Sequence, residues 1–143
     1  MKKRFIVGIF LLINIYSFGQ NKYLKDVNDT QLLSEKVVDL FAENKIKQSF
    51  NTLSEYWPLP KNEIKNLEKT TVEHLSFIEK QFGKSIGTLK VRNETISDFA
   101  IQETYLIRYD ISAIRLIFTY YKGYKGWVLN GFKWDLEFTQ EFK

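Results

Sequence analysis

The hydrophobic positions of this chain fall into three textures. From Phe5 to Phe18 they form an almost unbroken run, with Asn14 and Ser17 its only clearly polar members. From about residue 30 to residue 82 they recur every three or four positions, the spacing that gathers them on one side of a helix. From Ser85 onward, β-branched and aromatic residues alternate with polar ones and glycines punctuate them. That is the period of strands whose two faces see different surroundings.

The middle texture predicts helices. Leu33, Val37, Leu40 and Phe41 make one apolar stripe, with Asp29 or Thr30 as its N-cap. Glu43-Asn44-Lys45 interrupts the stripe, and Ile46, Phe50 and Leu53 resume it, so a break followed by a short second helix is expected. Trp57-Pro58-Leu59-Pro60 stops it, because proline lacks the N–H a helix interior needs and restrains the residue before it. A further helix starts near Lys61. Ile64, Leu67, Thr71, Leu75, Ile78 and Phe82 line one face, and Gly83 ends it.

The last texture predicts four strands, at about 87–95, 98–110, 112–122 and 126–138. Turns fall at Asn93 to Asp98, Asp110 to Ala113 and, most clearly, Tyr121-Lys122-Gly123-Tyr124-Lys125-Gly126. Short connections make antiparallel neighbours. Alternation sorts the faces. Phe99, Ile101, Glu103, Tyr105, Ile107 and Tyr109 point one way in the second strand, and Ile114, Leu116, Phe118 and Tyr120 do so in the third. In the fourth, Val128, Asn130, Phe132, Trp134 and Leu136 are assigned inward, and Trp127, Leu129, Gly131, Lys133 and Asp135 outward. Asn130-Gly131 is a hairpin signal taken alone. A turn there would leave the preceding strand very short, so a bulge at Gly131 is expected instead. Helices followed by a run of antiparallel strands make an α+β domain.

The first nineteen residues have a different character. Lys2, Lys3 and Arg4 precede the apolar run, and Ser17-Phe18-Gly19 sets small residues at the −3 and −1 positions of a cut before Gln20. These are the three parts of a secretory signal peptide, and the run is short for a membrane-spanning helix. The expected organisation is a signal peptide at 1–19, a mature N-terminal tail at 20–29 and a single domain at 30–143. Charge follows from the cut. The 143-residue chain has 21 basic and 17 acidic residues. Removing Lys2, Lys3 and Arg4 leaves 18 against 17, so the basic balance belongs mostly to the export signal. No concentrated positive surface for nucleic acid is indicated. Arg92, Arg108 and Arg115 are the only arginines beyond the signal, which supplies bidentate phosphate recognition poorly. There is no cysteine, which excludes disulfides, thiolate metal sites and a lipid anchor built on cysteine. One histidine, His74, offers no His-rich metal site. No metal and no cofactor is expected. The expected location is the periplasm or the exterior, without a stable membrane anchor after cleavage.

Pro58-Leu59-Pro60 between helices, Tyr105-Leu106-Ile107-Arg108-Tyr109, Arg115 to Lys122, and Gly126-Trp127-Val128-Leu129-Asn130-Gly131-Phe132-Lys133-Trp134-Asp135 carry a resemblance. Over about residues 30 to 138 the chain resembles the NTF2-like, SnoaL-type (cystatin-like) superfamily, and within it small exported bacterial proteins of unknown function. The resemblance implies helices packed against a curved four-stranded antiparallel sheet, a cone with a pocket at its open end, and often a homodimer through the outer sheet face. It does not decide function, since one fold hosts many.

Candidate sites follow from the faces. Glu103 and Asn130 are the polar residues assigned inward. A carboxylate in an apolar cone is a candidate general base, unless a bulge turns Glu103 outward or it sits at the rim. His74, at the border of its helix stripe, is a candidate proton shuttle, though a half-exposed histidine is the commoner case. Tyr105, Tyr109, Tyr120, Asn130 and Trp134 are candidates to line a pocket, against the plainer reading of an aromatic core. Leu106, Arg115, Ile117 and Leu129 are candidates for a dimer patch. No catalytic constellation is complete. The leading expectation is an exported non-catalytic module binding a small apolar ligand or a protein partner. The alternatives are a small-molecule lyase or isomerase using Glu103 or His74, and a pure interaction or inhibitor domain. Mass spectrometry of the exported protein is expected to find a chain beginning at Gln20, and a chain beginning at Met1 would overturn the cleavage site.

Overall fold

The computed structural model describes residues 21–143; the signal peptide assigned to 1–19 lies outside the described residues. Three helices come first: α1 (Val27–Ala42), α2 (Ile46–Ser54) and α3 (Lys61–Phe82). Four strands follow: β1 (Ser85–Ile96), β2 (Ala100–Tyr109), β3 (Ala113–Gly123) and β4 (Gly126–Asp135), then a short 3₁₀ turn at Phe138–Glu141. The strands form one antiparallel sheet in chain order, so every connection is a hairpin. The architecture is α+β, helices on one face of the sheet. Among the described residues no helix is long and apolar enough to cross a membrane.

The element ends follow local chemistry. The N-cap of α1 is Asp26, three residues before the expected Asp29: its carboxylate accepts the Asp29 N–H at 2.9 Å, and Asp29 reaches back to the Lys25 N–H at 3.0 Å. Between α1 and α2, Asn44 takes φ 59°. The Asn44 N–H then bonds the Phe41 carbonyl and the Lys45 N–H the Leu40 carbonyl, the two bonds of a Schellman stop. Asparagine tolerates this left-handed turn, which explains the break in the hydrophobic stripe. Gly83 closes α3 at φ 83°. The segment assigned as a tail is joined to the domain. Leu24 exchanges two main-chain hydrogen bonds of 2.9 Å with Trp127, and the Lys22 N–H bonds the Glu55 carbonyl at 2.8 Å.

The core lies between helices and sheet. Val37, Leu53, Ile107, Ile114, Leu116, Phe118, Tyr120 and Leu129 have no exposed surface. Phe132 is the aromatic hub, with ring centroids 5.0 Å from Phe118, 5.6 Å from Phe41, 5.9 Å from Phe50 and 6.3 Å from Trp57. The inward set of β2 from Ile101 to Tyr109 and that of β3 are as alternation placed them, whereas Phe99 sits in the β1–β2 turn, 40% exposed, against Tyr121.

The phase of β4 differs from the expectation. Thr119 pairs with Gly131, but Tyr120 pairs with Leu129, so Asn130 is the extra residue of a bulge. One residue of bulge reverses the alternation. Trp127 and Leu129 therefore face the core before it, and Phe132 and Trp134 face the core after it. Val128 is not inward, Asn130 is exposed, and Leu136 lies half-exposed beyond the strand, which ends at Asp135 rather than 138.

The outer sheet face is partly covered by the chain's own C-terminus. Arg115 is buried there, donating Nε and Nη2 to both carboxylate oxygens of Asp135 at 3.0 and 2.7 Å, and Nη1 to Glu141 at 2.8 Å. Ile117 is buried beside it. Two members of the proposed dimer patch are thus covered within the chain, a third, Leu129, belongs to the opposite face, and Leu106 alone stays half-exposed.

The docked N-terminal segment generates a test. A Cβ on Gly126, whose φ is 139°, would lie 2.8 Å from the Leu24 carbonyl oxygen and 3.2 Å from the Tyr23 Cβ. Gly126→Ala is expected to cost about 1–3 kcal/mol through that backbone clash and the disfavoured φ, measured as a shift of the urea midpoint. An unchanged midpoint would mean that the 22–24 strap does not hold this position.

Candidate functional site

Two regions collect the residues singled out by the sequence, and they are separate. The first is a buried polar cluster between α1 and the sheet. The first turns of α1 place Thr30 and Ser34 on its inner side, and alternation in β2 and β3 brings Glu103, Tyr105 and Tyr120 under them. Glu103 is 1% exposed. Its Oε1 accepts from the Thr30 hydroxyl at 3.2 Å, but that hydroxyl also lies 2.8 Å from the Val27 carbonyl and has one proton for both. The Lys90 ammonium, on the edge strand β1, is 3.8 Å from the same oxygen and 5.7 Å from the centre of the Tyr105 ring. Glu103 Oε2 and the Tyr105 hydroxyl have no hydrogen-bond partner. Ser34 and Tyr120 share a hydrogen bond of 2.7 Å.

Electrostatics here disfavour ionised tyrosine. Burial pushes the Tyr105 phenol up, with the Glu103 charge adding to it. Tyr105 is close enough to feel that charge but makes no hydrogen bond to the carboxylate. Burial likewise raises Tyr120, partly offset by the Ser34 hydrogen bond, and pushes Tyr109 up to about 12. These hydroxyls are therefore neutral donors or acceptors near neutral pH. Glu103 lines none of five surface cavities found among the described residues. The carboxylate is inward, as alternation had it, yet it faces packed side chains rather than open space.

The second region is a groove of about 270 Å³ between α2, α3 and β4. Phe50, Leu67, Phe132 and Trp134 make its apolar wall, and Thr70, Thr71, His74 and Lys133 its polar margin. Trp134 is fixed by an indole N–H bond of 3.1 Å to the Thr71 hydroxyl, and the exposed His74 ring packs edge-on against it, centroids 6.2 Å apart. Sequence reasoning placed Trp134 in a pocket and left His74 at the border of its stripe. It missed Phe50 and Leu67, whose helical spacing reads as core. Leu67 is in fact 44% exposed and lines the groove.

The remaining pocket candidates fall outside this groove. Tyr105 and Tyr120 belong to the buried cluster, Tyr109 borders only a pit of about 10 Å³ under α1, and Asn130 is displaced to the surface by its own bulge. His74 and Glu103 share no cavity. No group of three or more metal-ligand side chains occurs among the described residues. Comparison of the chain with family models, curated proteins and solved structures found no match.

The tyrosines set an alkaline limit. Their folded-state values lie above the ordinary 10 of an unfolded tyrosine, so the stability they contribute is complete below pH 10 and is lost as pH rises toward 12. Urea midpoints are expected to be level up to about pH 10 and to fall above it, with most phenolate absorbance from these residues appearing only on unfolding. Full phenolate absorbance in the folded protein near pH 10 would contradict the buried placement of Tyr105, Tyr109 and Tyr120.

Proposed function

We propose that the chain is an exported, NTF2-like, non-catalytic binding module whose groove between α2, α3 and β4 receives a small, largely apolar ligand. The observation that carries this is the groove's wall. Leu67 stands 44% exposed and Phe132 and Trp134 partly so, over the buried Phe50, around about 270 Å³, with a few polar groups at one margin. Ligand sites have this composition: apolar lining for affinity and sparse polar groups for orientation. Drug-sized ligands occupy roughly 300–1,000 Å³, so this groove suits something smaller, of one ring or a short aliphatic chain. Trp134 is anchored by Thr71 and offers a preorganised flat surface, which lowers the ordering cost of binding.

The lyase or isomerase alternative has weaker support. General acid–base chemistry needs the carboxylate or imidazole within hydrogen-bond reach of a bound substrate. Glu103 reaches none of the described cavities, and His74 has no carboxylate to orient it in the groove's lining. The interaction-domain alternative and a homodimer through the outer face lose Arg115 and Ile117 as contact residues, since both are buried within the chain.

Benzoate, indole and hexanoate are expected to give saturation-transfer NMR signals with the mature chain at millimolar concentration. Leu67→Arg places a charged side chain across the groove without touching the core and is expected to weaken binding at least about tenfold. Glu103→Gln is expected to leave it unchanged. Absence of binding by all three probes to folded protein, or binding that survives Leu67→Arg, would remove this reading.

A further inference from the structure

The outer sheet face carries a feature independent of the groove. Two of the three arginines beyond the signal converge on one oxygen: Arg92 Nη2 and Arg115 Nη1 each lie 2.8 Å from Glu141 Oε1. Arg115 is 3% exposed, and its other edge is taken by Asp135, with Glu137 at 3.8 Å. Arg92 has a further acidic neighbour, Glu94, at 3.7 Å. Sequence spacing does not show this convergence, because the arginines sit on different strands and meet through the register of the sheet.

Two buried polar atoms beside this cluster are left without a partner. Arg92 Nε is buried and unpartnered. Thr104, directly across from Arg92 in the β1–β2 pairing and 1% exposed, has a buried hydroxyl that is also unpartnered. Buried polar groups are normally satisfied, and these two neighbouring orphans lie beside a pair of guanidiniums where Glu141 engages Oε1 alone. The Glu141 side chain that fills the position comes from a four-residue 3₁₀ turn whose residues are none of them fully buried. Its hold on the sheet includes the two ion pairs that Glu141 makes with Arg92 and Arg115.

The geometry points to an oxyanion site on the outer sheet face, formed by Arg92, Arg115 and Thr104, that Glu141 occupies as a tethered substitute ligand. The matching ligand class is a tetrahedral oxyanion, either free phosphate or sulfate or the terminal phosphate of a larger molecule. Such an anion offers oxygens to Arg92 Nη2, Arg92 Nε, Arg115 Nη1 and the Thr104 hydroxyl together, where Glu141 serves two of them. Asp135 stays on Arg115 throughout, so Arg115 is never left as an unpaired buried charge. Binding and release of the 136–143 segment are then one event. A ligand that needs a minor, open state binds with an affinity reduced by the population of that state.

The test compares the full mature chain with its E141A and E141Q variants, titrated with inorganic phosphate, phenyl phosphate and acetate at constant ionic strength by calorimetry. Both variants are expected to bind phosphate at least about tenfold more tightly than the parent, since the internal competitor is gone. Acetate is expected to bind more weakly than phosphate, and R92A combined with E141A to lose the gain. In the parent protein, phosphate is expected to speed hydrogen exchange in residues 136–143. Tighter binding of phenyl phosphate than of inorganic phosphate assigns the site to a phosphate ester, and the reverse assigns it to the free anion. Folded E141A and E141Q that bind phosphate no better than the parent would overturn the site, as would a gain that persists without Arg92.

Discussion

Strand β4 has to face the helices along its whole length, and a strand with strict alternation cannot do that with this sequence. Trp127 and Leu129 are odd-numbered, Phe132 and Trp134 even-numbered, and all four pack against the core. The extra residue at Asn130 reconciles them. A bulge costs one unpaired residue and a local bend. In exchange it lets Leu129 seal the core under Tyr120 while Phe132 reaches Phe118, Phe41, Phe50 and Trp57. Without the phase change either the hub or the Trp127–Leu129 half would face water. The groove depends on the same device, because Trp134 stands two residues beyond Phe132 on the same face, where Thr71 of α3 can hold its indole.

The two faces of the sheet use charge in opposite ways. On the inner face, Glu103 is enclosed among tyrosines and hydroxyls with an incomplete set of donors. Burying such a group costs stability that a well-packed apolar residue would not, so its presence is not a stability device on its face value. On the outer face, Arg115 is as deeply buried but fully served by carboxylates. Burial pulls Asp135 upward, and the hydrogen bonds from Arg115 and the Glu137 N–H more than offset it, leaving that carboxyl below its ordinary range. The pair therefore holds at neutral pH.

Separation of the polar features limits the chemistry available. The imidazole and the inward carboxylate are the groups from which a proton-transfer site would be assembled, and they sit in different surroundings: one beside an indole at the surface, one under α1. A binding role requires only that the groove keep its shape. Anchoring Trp134 through Thr71 and packing Phe132 at the hub meet that requirement from both sides.

Much of this architecture was legible in the sequence because it rests on local chemistry. Helical spacing, the Asn44 break, the two prolines, Gly83 and the three hairpin turns place every element within a few residues, since each is decided by neighbours along the chain. The inward direction of Glu103 was also legible, because β2 carries no bulge between Ile101 and Tyr109 in its pairing with β3. The Asp26 cap could have been read from the Asp26–Asp29 spacing and was not. What only the tertiary structure decided is whatever depends on register or on distant segments meeting. The bulge at Asn130 is fixed by what β3 and the helices require of β4, and it moved Asn130 outward and Leu129 inward. Arg115 is met by Glu141 of a C-terminal turn that no periodicity announces. His74 meets Trp134 across 60 residues, and Arg92 meets Glu141 across 49. Local pattern specifies which elements form and where they stop. Which side chains become neighbours is set by packing the elements together, where one residue of register exchanges one face for the other.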